Sequence, residues 1–318
     1  MITKKKLIFC LLLPPFTLAL VYITVHASNV LQGGSSYVHT YRLYRALYSS
    51  LAGCILAIAG CILQSALRNP LVDHHVLGVG SGALFASYIS ILLYSYTPLL
   101  ATTFAIIGGL IALALTVIIA EGISGSDVAY VLSGISVTSL FSGLSIFLSY
   151  YVTSRYPYAG LMLSGSFVLS RPDYAPYVSA ALVLALFGYT ALSKKLNVIL
   201  LGDDHATQLG VKPRHVRFFS ALITGLSSSI IVATFGLIGF VGLITPHISR
   251  FLSKTSDNRV IVPIASSIGA LLLYAADLFS KYVVAPVAGE VPAGALVSLI
   301  GSPFFLLLVV KRFKGRVL

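Results

Sequence analysis

Along the 318 residues, polar positions fall in short breaks between long apolar runs; they do not recur at the two-residue period of a half-buried strand. A helix that crosses the hydrocarbon core needs about 20 mainly apolar residues. On that measure ten stretches read as spans, near 7–25, 46–67, 76–96, 99–120, 128–151, 175–193, 217–235, 237–253, 260–280 and 294–311. The run "ATFGLIGFVGLITPH" inside 217–253 fits either one bent helix or two shorter ones. A further apolar piece, "AGLMLSGSFVLS", is too short to span and predicts an external loop, 153–174, with a short half-inserted helix. The one extended polar break is 194–217. The fold class expected is all-α, a single membrane domain over 1–318 with ten transmembrane helices.

Composition removes the soluble alternatives. Charged residues make up 9% and apolar ones 57%, against about 25% and 45–50% in soluble domains. The 21 Lys and Arg against nine Asp and Glu leave a net charge of +12, which in a soluble chain would suggest nucleic acid. Here it sorts as a topology signal. With a cytoplasmic N-terminus, only Arg42, Arg45, Arg155, Arg171 and Lys281 of the 21 cations fall outside. The positive-inside rule therefore favours both termini in the cytoplasm of a cell-membrane protein and leaves no argument for a nucleic-acid partner. Lys4 to Lys6, the apolar stretch after them and "VHAS" imitate a signal peptide. The stretch is long enough to span, so it reads as an uncleaved first helix, with cleavage as the alternative.

Candidate chemistry is sparse. No G-x-x-x-x-G-K-[ST] is present, so no P-loop binds ATP in this chain. Asp73, His74 and His75 resemble a metal cluster, but adjacent His side chains diverge and no third ligand is near in sequence, so no metal site is assigned. Cys10, Cys54 and Cys61 sit in apolar runs and read as packing residues, and nothing implies a cofactor. Asp277 is the one acid well inside a span. Pro246 and His247 read as supports for the break after the eighth span. Within 194–217, a short helix is expected from Asp203, with Gly202 before it, Asp203 as cap, and Gly210 ending it ahead of Pro213.

Four stretches, in order, resemble the FecCD-type (BtuC-like) permeases of importers for iron-siderophore, haem and cobalamin. They are "YRLYRALYSSLAGCILAIAGCILQSALRNPLVDHHVLGVGSGA" (41–83), "LNVILLGDDHATQLGV" (196–211), "GLIGFVGLITPHISR" (236–250) and "ADLFSKYVVAPVAGEVPAGALVSLIGSPFFLLLV" (276–309). Roughly 95–180 matches weakly. This chain departs from the pattern at Leu43–Tyr44, at His75 and at Lys281, where the family carries Pro, Pro and Arg, and it has no Trp.

The resemblance implies a homodimeric permease in the bilayer, two cytoplasmic ABC ATPase subunits, and an extracytoplasmic substrate-binding protein, with ATP hydrolysis on the separate ATPase. It makes Gly202, Asp203, Asp204, His205, Ala206, Gln208, Leu209 and Gly210 the ATPase-coupling segment. It makes Arg42, Arg45 and Lys281 the binding-protein docking cations. It places Asn69, Pro70 and Leu71, with Asp127 and Val128, at the cytoplasmic gate. Glu290, Pro292 and Gly294 mark the outer start of the last span. The cargo expected is a metal chelate, a ferric siderophore first, then cobalamin or haem. The competing reading is an ion-coupled secondary transporter of a small solute using Asp277; a structural membrane protein would leave the coupling motif without purpose.

Overall fold

The computed structural model describes residues 13–26, 35–95, 97–157 and 165–314, and every regular element among them is helical. The helices are α1 (Leu13–His26), α2 (Ser36–Ala66), α3 (Val79–Tyr94), α4 (Pro98–Ile123), α5 (Asp127–Arg155), α6 (Ala175–Ile199), α7 (Asp203–Gln208), α8 (Pro213–Phe235), α9 (Val241–Ser253), α10 (Asn258–Phe279), α11 (Ala285–Ala288) and α12 (Ala293–Lys314). Among the described residues, six stretches are long and apolar enough to cross a membrane: Ser36–Ala66, Leu99–Ile123, Asp127–Arg155, Pro172–Ile199, Pro213–Phe235 and Asn258–Ala288. Each of the ten apolar stretches read from the sequence holds a helix, and those in α3 and α9 are shorter than a span. Residues 217–253 form two helices, because Gly236 (φ +86°) and Phe240 (φ +67°) turn the backbone out of helix between α8 and α9.

The centre is α2. Some 89% of its most apolar window is buried, against 28% in α5 and α6, whose outward faces carry Ile146, Phe147, Val183 and Phe187. Large apolar faces left outside are what a lipid solvent permits. Around α2 stand α6, α8, α9 and α10. Two contacts set how closely they approach. A Cβ on Gly53 would lie 2.0 Å from the Gly269 carbonyl oxygen of α10, and one on Gly60 1.9 Å from that of Gly242 in α9. Backbones that touch in this way are the small-residue packing that membranes favour.

Several expectations shift. α2 starts ten residues before the predicted span, where the Ser35 hydroxyl accepts from the Val38 amide, so Arg42 and Arg45 lie on the helix itself. Pro246 sits inside α9, well before its end at Ser253. The half-inserted helix expected within 153–174 falls largely on 158–164, outside the described residues. Of its remainder, 165–171 is not helical and Pro172–Tyr174 is a 3-10 turn. The Ser166 amide donates to Phe235 O and the Gly294 amide to Gly165 O, tying this segment to α8 and α12.

Candidate functional site

α2 and α10 run antiparallel: Ser65 near the end of α2 donates to Asn258 at the start of α10, and Arg45 near the start of α2 meets Asp277 near the end of α10. At 1.5 Å per residue, Arg45 and Arg68 are roughly 34 Å apart along this axis. Each end carries an ionic cluster.

At the first end, Arg45 is buried and its guanidinium forks onto Asp277, Nε to Oδ2 and Nη2 to Oδ1, both at 2.8 Å. Nη2 also bonds Glu290, and Nη1 donates to the Tyr41 hydroxyl at 3.3 Å. Arg45 is expected to offer a docking charge; within the chain two carboxylates already answer it, and it is buried because a charge in the interior is tolerated only when paired. The same pairing removes Asp277 as a free ion site. Arg42 and Lys281 remain, half-buried, flanking a small cleft over the triad. Arg42 Nη1 has no hydrogen-bond partner among the described residues, and Lys281 Nζ stands 5.0 Å from the Tyr282 ring centroid. Lys281 lies in a π-helical turn, Ser280–Val284, where the wider backbone re-aims side chains. Ser280 there bonds the Val291 carbonyl, which holds the loop carrying Glu290 against α10.

At the other end, α7 is a separate short helix between α6 and α8. Gly202 occupies the N-cap with φ +106°, a left-side conformation that a Cβ would strain. The sequence suggested Asp203 as the cap, but it is the first helical residue. Its carboxylate points back at Arg217 of α8, Nη2 lying 2.8 Å from both oxygens. Arg217 is buried, so only a paired carboxylate makes that position tolerable. Ala206 is buried against the bundle. Asp204, His205, Gln208, Leu209 and Gly210 are exposed, Leu209 at 61% and neighbouring Leu201 at 62%. Seven of the nine acids of the chain take part in ion pairs; Asp204, on the outer face of α7, has none among the described residues.

Beside α7 lies the turn after α2. Asn69 Oδ1 accepts from the Leu71 amide at 3.0 Å, and the Pro70 carbonyl stands 3.0 Å from His247 Nε2 of α9. Asp127 opens α5 behind the Ser126 cap, and Val128 is exposed. Arg68 connects these parts: its Nη2 is 3.2 Å from Asp127 Oδ2 and 3.4 Å from Asp203 Oδ1. A cavity of about 380 Å³ opens alongside, lined by Gln64, Arg68, Pro70, His247 and Arg250 among others, with Arg250 donating to Gln64 Oε1 at 2.7 Å. Arg68, Arg217 and the Gln64–Arg250 pair were not singled out from the sequence. For Arg217 the available signal is the shortage of acids, which makes Asp203, fourteen residues before it, a candidate partner; the partners of Arg68 and the Gln64–Arg250 pair lie too far apart in sequence to leave one.

Asp73 and His74 are buried. Asp73 Oδ1 accepts from the His75 amide, which makes it a turn cap, and the two imidazoles pack with ring centroids 4.3 Å apart. Burial, then the neighbouring His75, pushes the His74 pKa down to about 3, so it is neutral.

Against known proteins, residues 7–311 match the model of the FecCD transport family. The chain is 33% identical over 283 residues to the hemin transport system permease protein HmuU of Yersinia pestis, covering 86% of this chain and 83% of that one. It is 30% identical to an ABC transporter permease protein of Methanocaldococcus jannaschii, across 98% of this chain and 97% of the relative. Among solved structures, one described as an inward-facing metal-chelate type ABC transporter superposes with a TM-score of 0.79 at 28% identity, over 97% of this chain and 100% of that one. PsaBC from Streptococcus pneumoniae, at 18% identity and a TM-score of 0.60 over 90% and 94%, shares the fold. It is a multi-pass plasma-membrane protein, and the chain belongs to the FecCD transport family.

Proposed function

We propose that the chain is the permease subunit of a binding-protein-dependent ABC importer that carries haem or a closely similar metal chelate. It works as a homodimer with ten spans and both termini in the cytoplasm, driven by two separate ATPase subunits. The observation that carries this reading is α7: a short helix pinned from within by Asp203 and Ala206, with polar and apolar residues turned outward and nothing among the described residues covering them. Such an element transmits a rigid-body step of a partner to the bundle. Asp204, His205, Gln208 and Leu209 form its contact face for the ATPase. At the opposite end, Arg42 and Lys281 are the docking cations for acidic groups of the binding protein, with Arg45 holding the helices that present them. Asn69, Pro70, Leu71, Asp127 and Val128 form the cytoplasmic constriction.

Haem moves ahead of ferric siderophore and cobalamin because relatives at 33% identity, matched over 83% of their length, are named for hemin and heme-iron transport. Nothing favours the ion-coupled alternative, since the carboxylate it needs is held by Arg45. The test is uptake of haem into vesicles holding the permease, its ATPase and its binding protein. Uptake that requires ATP and survives an uncoupler supports the reading; uptake without the ATPase that collapses with an uncoupler overturns it.

A further inference from the structure

The gate loop and the coupling helix come from different parts of the chain, yet one side chain touches both. Arg68 is the second residue after α2, and its backbone is left-handed (φ +45°), a strained conformation for a non-glycine residue that persists only where the surroundings hold it. That turn aims the guanidinium between two acids on separate elements. Nη2 serves both, Asp127 on the first turn of α5 and Asp203 on the first turn of α7. The remaining partners are fixed. Asp203 travels with α8 through Arg217, and the chain just after Arg68 is tied to α9 through Pro70 and His247.

We propose that Arg68 is a positioning residue that couples α7 to the gate, dividing its charge between Asp203 and Asp127 according to where α7 stands. The inference rests on the function proposed above. The side chains of Arg68, Asp127 and Asp203 are 31%, 28% and 41% exposed. Pairs this wet are weak, so a small displacement of α7 suffices to pass the guanidinium from one acid to the other. Any lengthening of the 3.4 Å contact to Asp203 frees the cation for Asp127 and draws the start of α5 toward residues 69–71. A purely structural surface pair would leave the gate indifferent to α7.

The test uses the whole complex in vesicles, with Leu71→Cys as reporter in a Cys10→Ser background and a membrane-impermeant maleimide applied on the ATPase side; Cys54 and Cys61 are buried and set the background. ATP-dependent haem uptake by the parent is established first, so failure there sinks the function and not Arg68. In the parent, nucleotide-free and ATP-trapped states label at rates that differ about fivefold. Arg68→Gln reduces that difference to less than twofold while ATP hydrolysis continues, and Arg68→Lys restores part of it. Asp203→Asn alters labelling at position 71 only when Arg68 is present. Two results overturn the proposal: labelling in Arg68→Gln that follows nucleotide as in the parent, or an Asp203→Asn effect of the same size with and without Arg68.

Discussion

The two ionic clusters at the ends of α2 use the same residue types and behave as opposites. At the triad end, the Arg45 and Asp277 side chains are each 5% exposed and the guanidinium is fully engaged. At the α7 end, one nitrogen of Arg68 is shared between two acids that water also reaches. Removing one partner of a buried pair leaves an uncompensated charge and costs about 3–5 kcal/mol; an exposed pair contributes about 0.2–1 kcal/mol. The first cluster is a clamp on α2, α10 and the Glu290 loop. In the second, one guanidinium nitrogen has two carboxylate acceptors within 3.4 Å. A transporter whose energy arrives at one end needs that difference: contacts that exchange where motion enters, and contacts that hold where a partner must dock on a fixed surface.

The comparison breaks most readily at Asp277. Asp277→Leu removes the forked partner of the buried Arg45, leaving Glu290 as its one carboxylate and Nε without its acceptor, and we expect about 3 kcal/mol of lost stability, read as a large fall in the thermal midpoint of the detergent-solubilised protein. The double variant Arg45→Met with Asp277→Leu loses less than Asp277→Leu alone, because Glu290, 28% exposed, can then be hydrated. If the double variant is the worse of the two, the triad is not a clamp held by its own charges. Next comes Arg217, which belongs to the α7 end but is buried like Arg45. Asp203→Asn therefore costs about 1–3 kcal/mol, the penalty for a buried group losing a charged partner, whereas Arg217→Gln costs less because Asp203 turns to water. Equal losses would mean that exposure does not rank these pairs.

At the wet extreme, Arg68→Gln shifts stability by no more than about 1 kcal/mol, and the shift shrinks as salt rises from 0.05 to 0.5 M, where the Debye length falls from roughly 14 to 4 Å. The effect of Asp277→Leu stays the same across that range, since buried charges are screened little. A salt-independent loss at Arg68, measured by the same thermal midpoint, would place it with the clamp.

The helices were legible because lipid imposes one demand, a long apolar run, that the eye can count. The start of α2 was not: its first turns are polar on one side, and only the Ser35 cap and the packing of Tyr41 and Arg45 on other elements extend the helix there. The α7 segment was legible from Gly202 and Gly210, both with positive φ. The role of Asp203 was not, because an Asp after a Gly reads as a cap until Arg217, fourteen residues on, is seen to point at it. The partners of Arg45 were hidden for the same reason: a cation near an outer surface looks unpaired until acids more than 230 residues away are in place. Pairings across such distances carry no local signal.

The smallest expected effect is at Asp257, which separates exposure from pairing. It caps α10: its Oδ1 accepts from the Arg259 amide at 2.9 Å and from Asn197 Nδ2 at 2.7 Å, while the Arg259 guanidinium forks onto both oxygens. Burial alone would raise its pKa, but the hydrogen bonds from Arg259 and Asn197, with the Arg259 charge, hold it below the usual carboxylate range. A carboxylate depressed on folding contributes stability that is complete above its unfolded pKa, about 4, and is lost as pH falls through the lower folded value. The thermal midpoint of the parent should thus drop between pH 4 and pH 3 by slightly more than that of Asp257→Asn. Above pH 5 the two should differ by a constant amount, at most about 1 kcal/mol, because Arg259 lies open to solvent and the pair is screened. A pH-dependent gap at neutral pH would show that Asp257 titrates in the wrong range for a paired cap, and would move it from the wet class to the buried one.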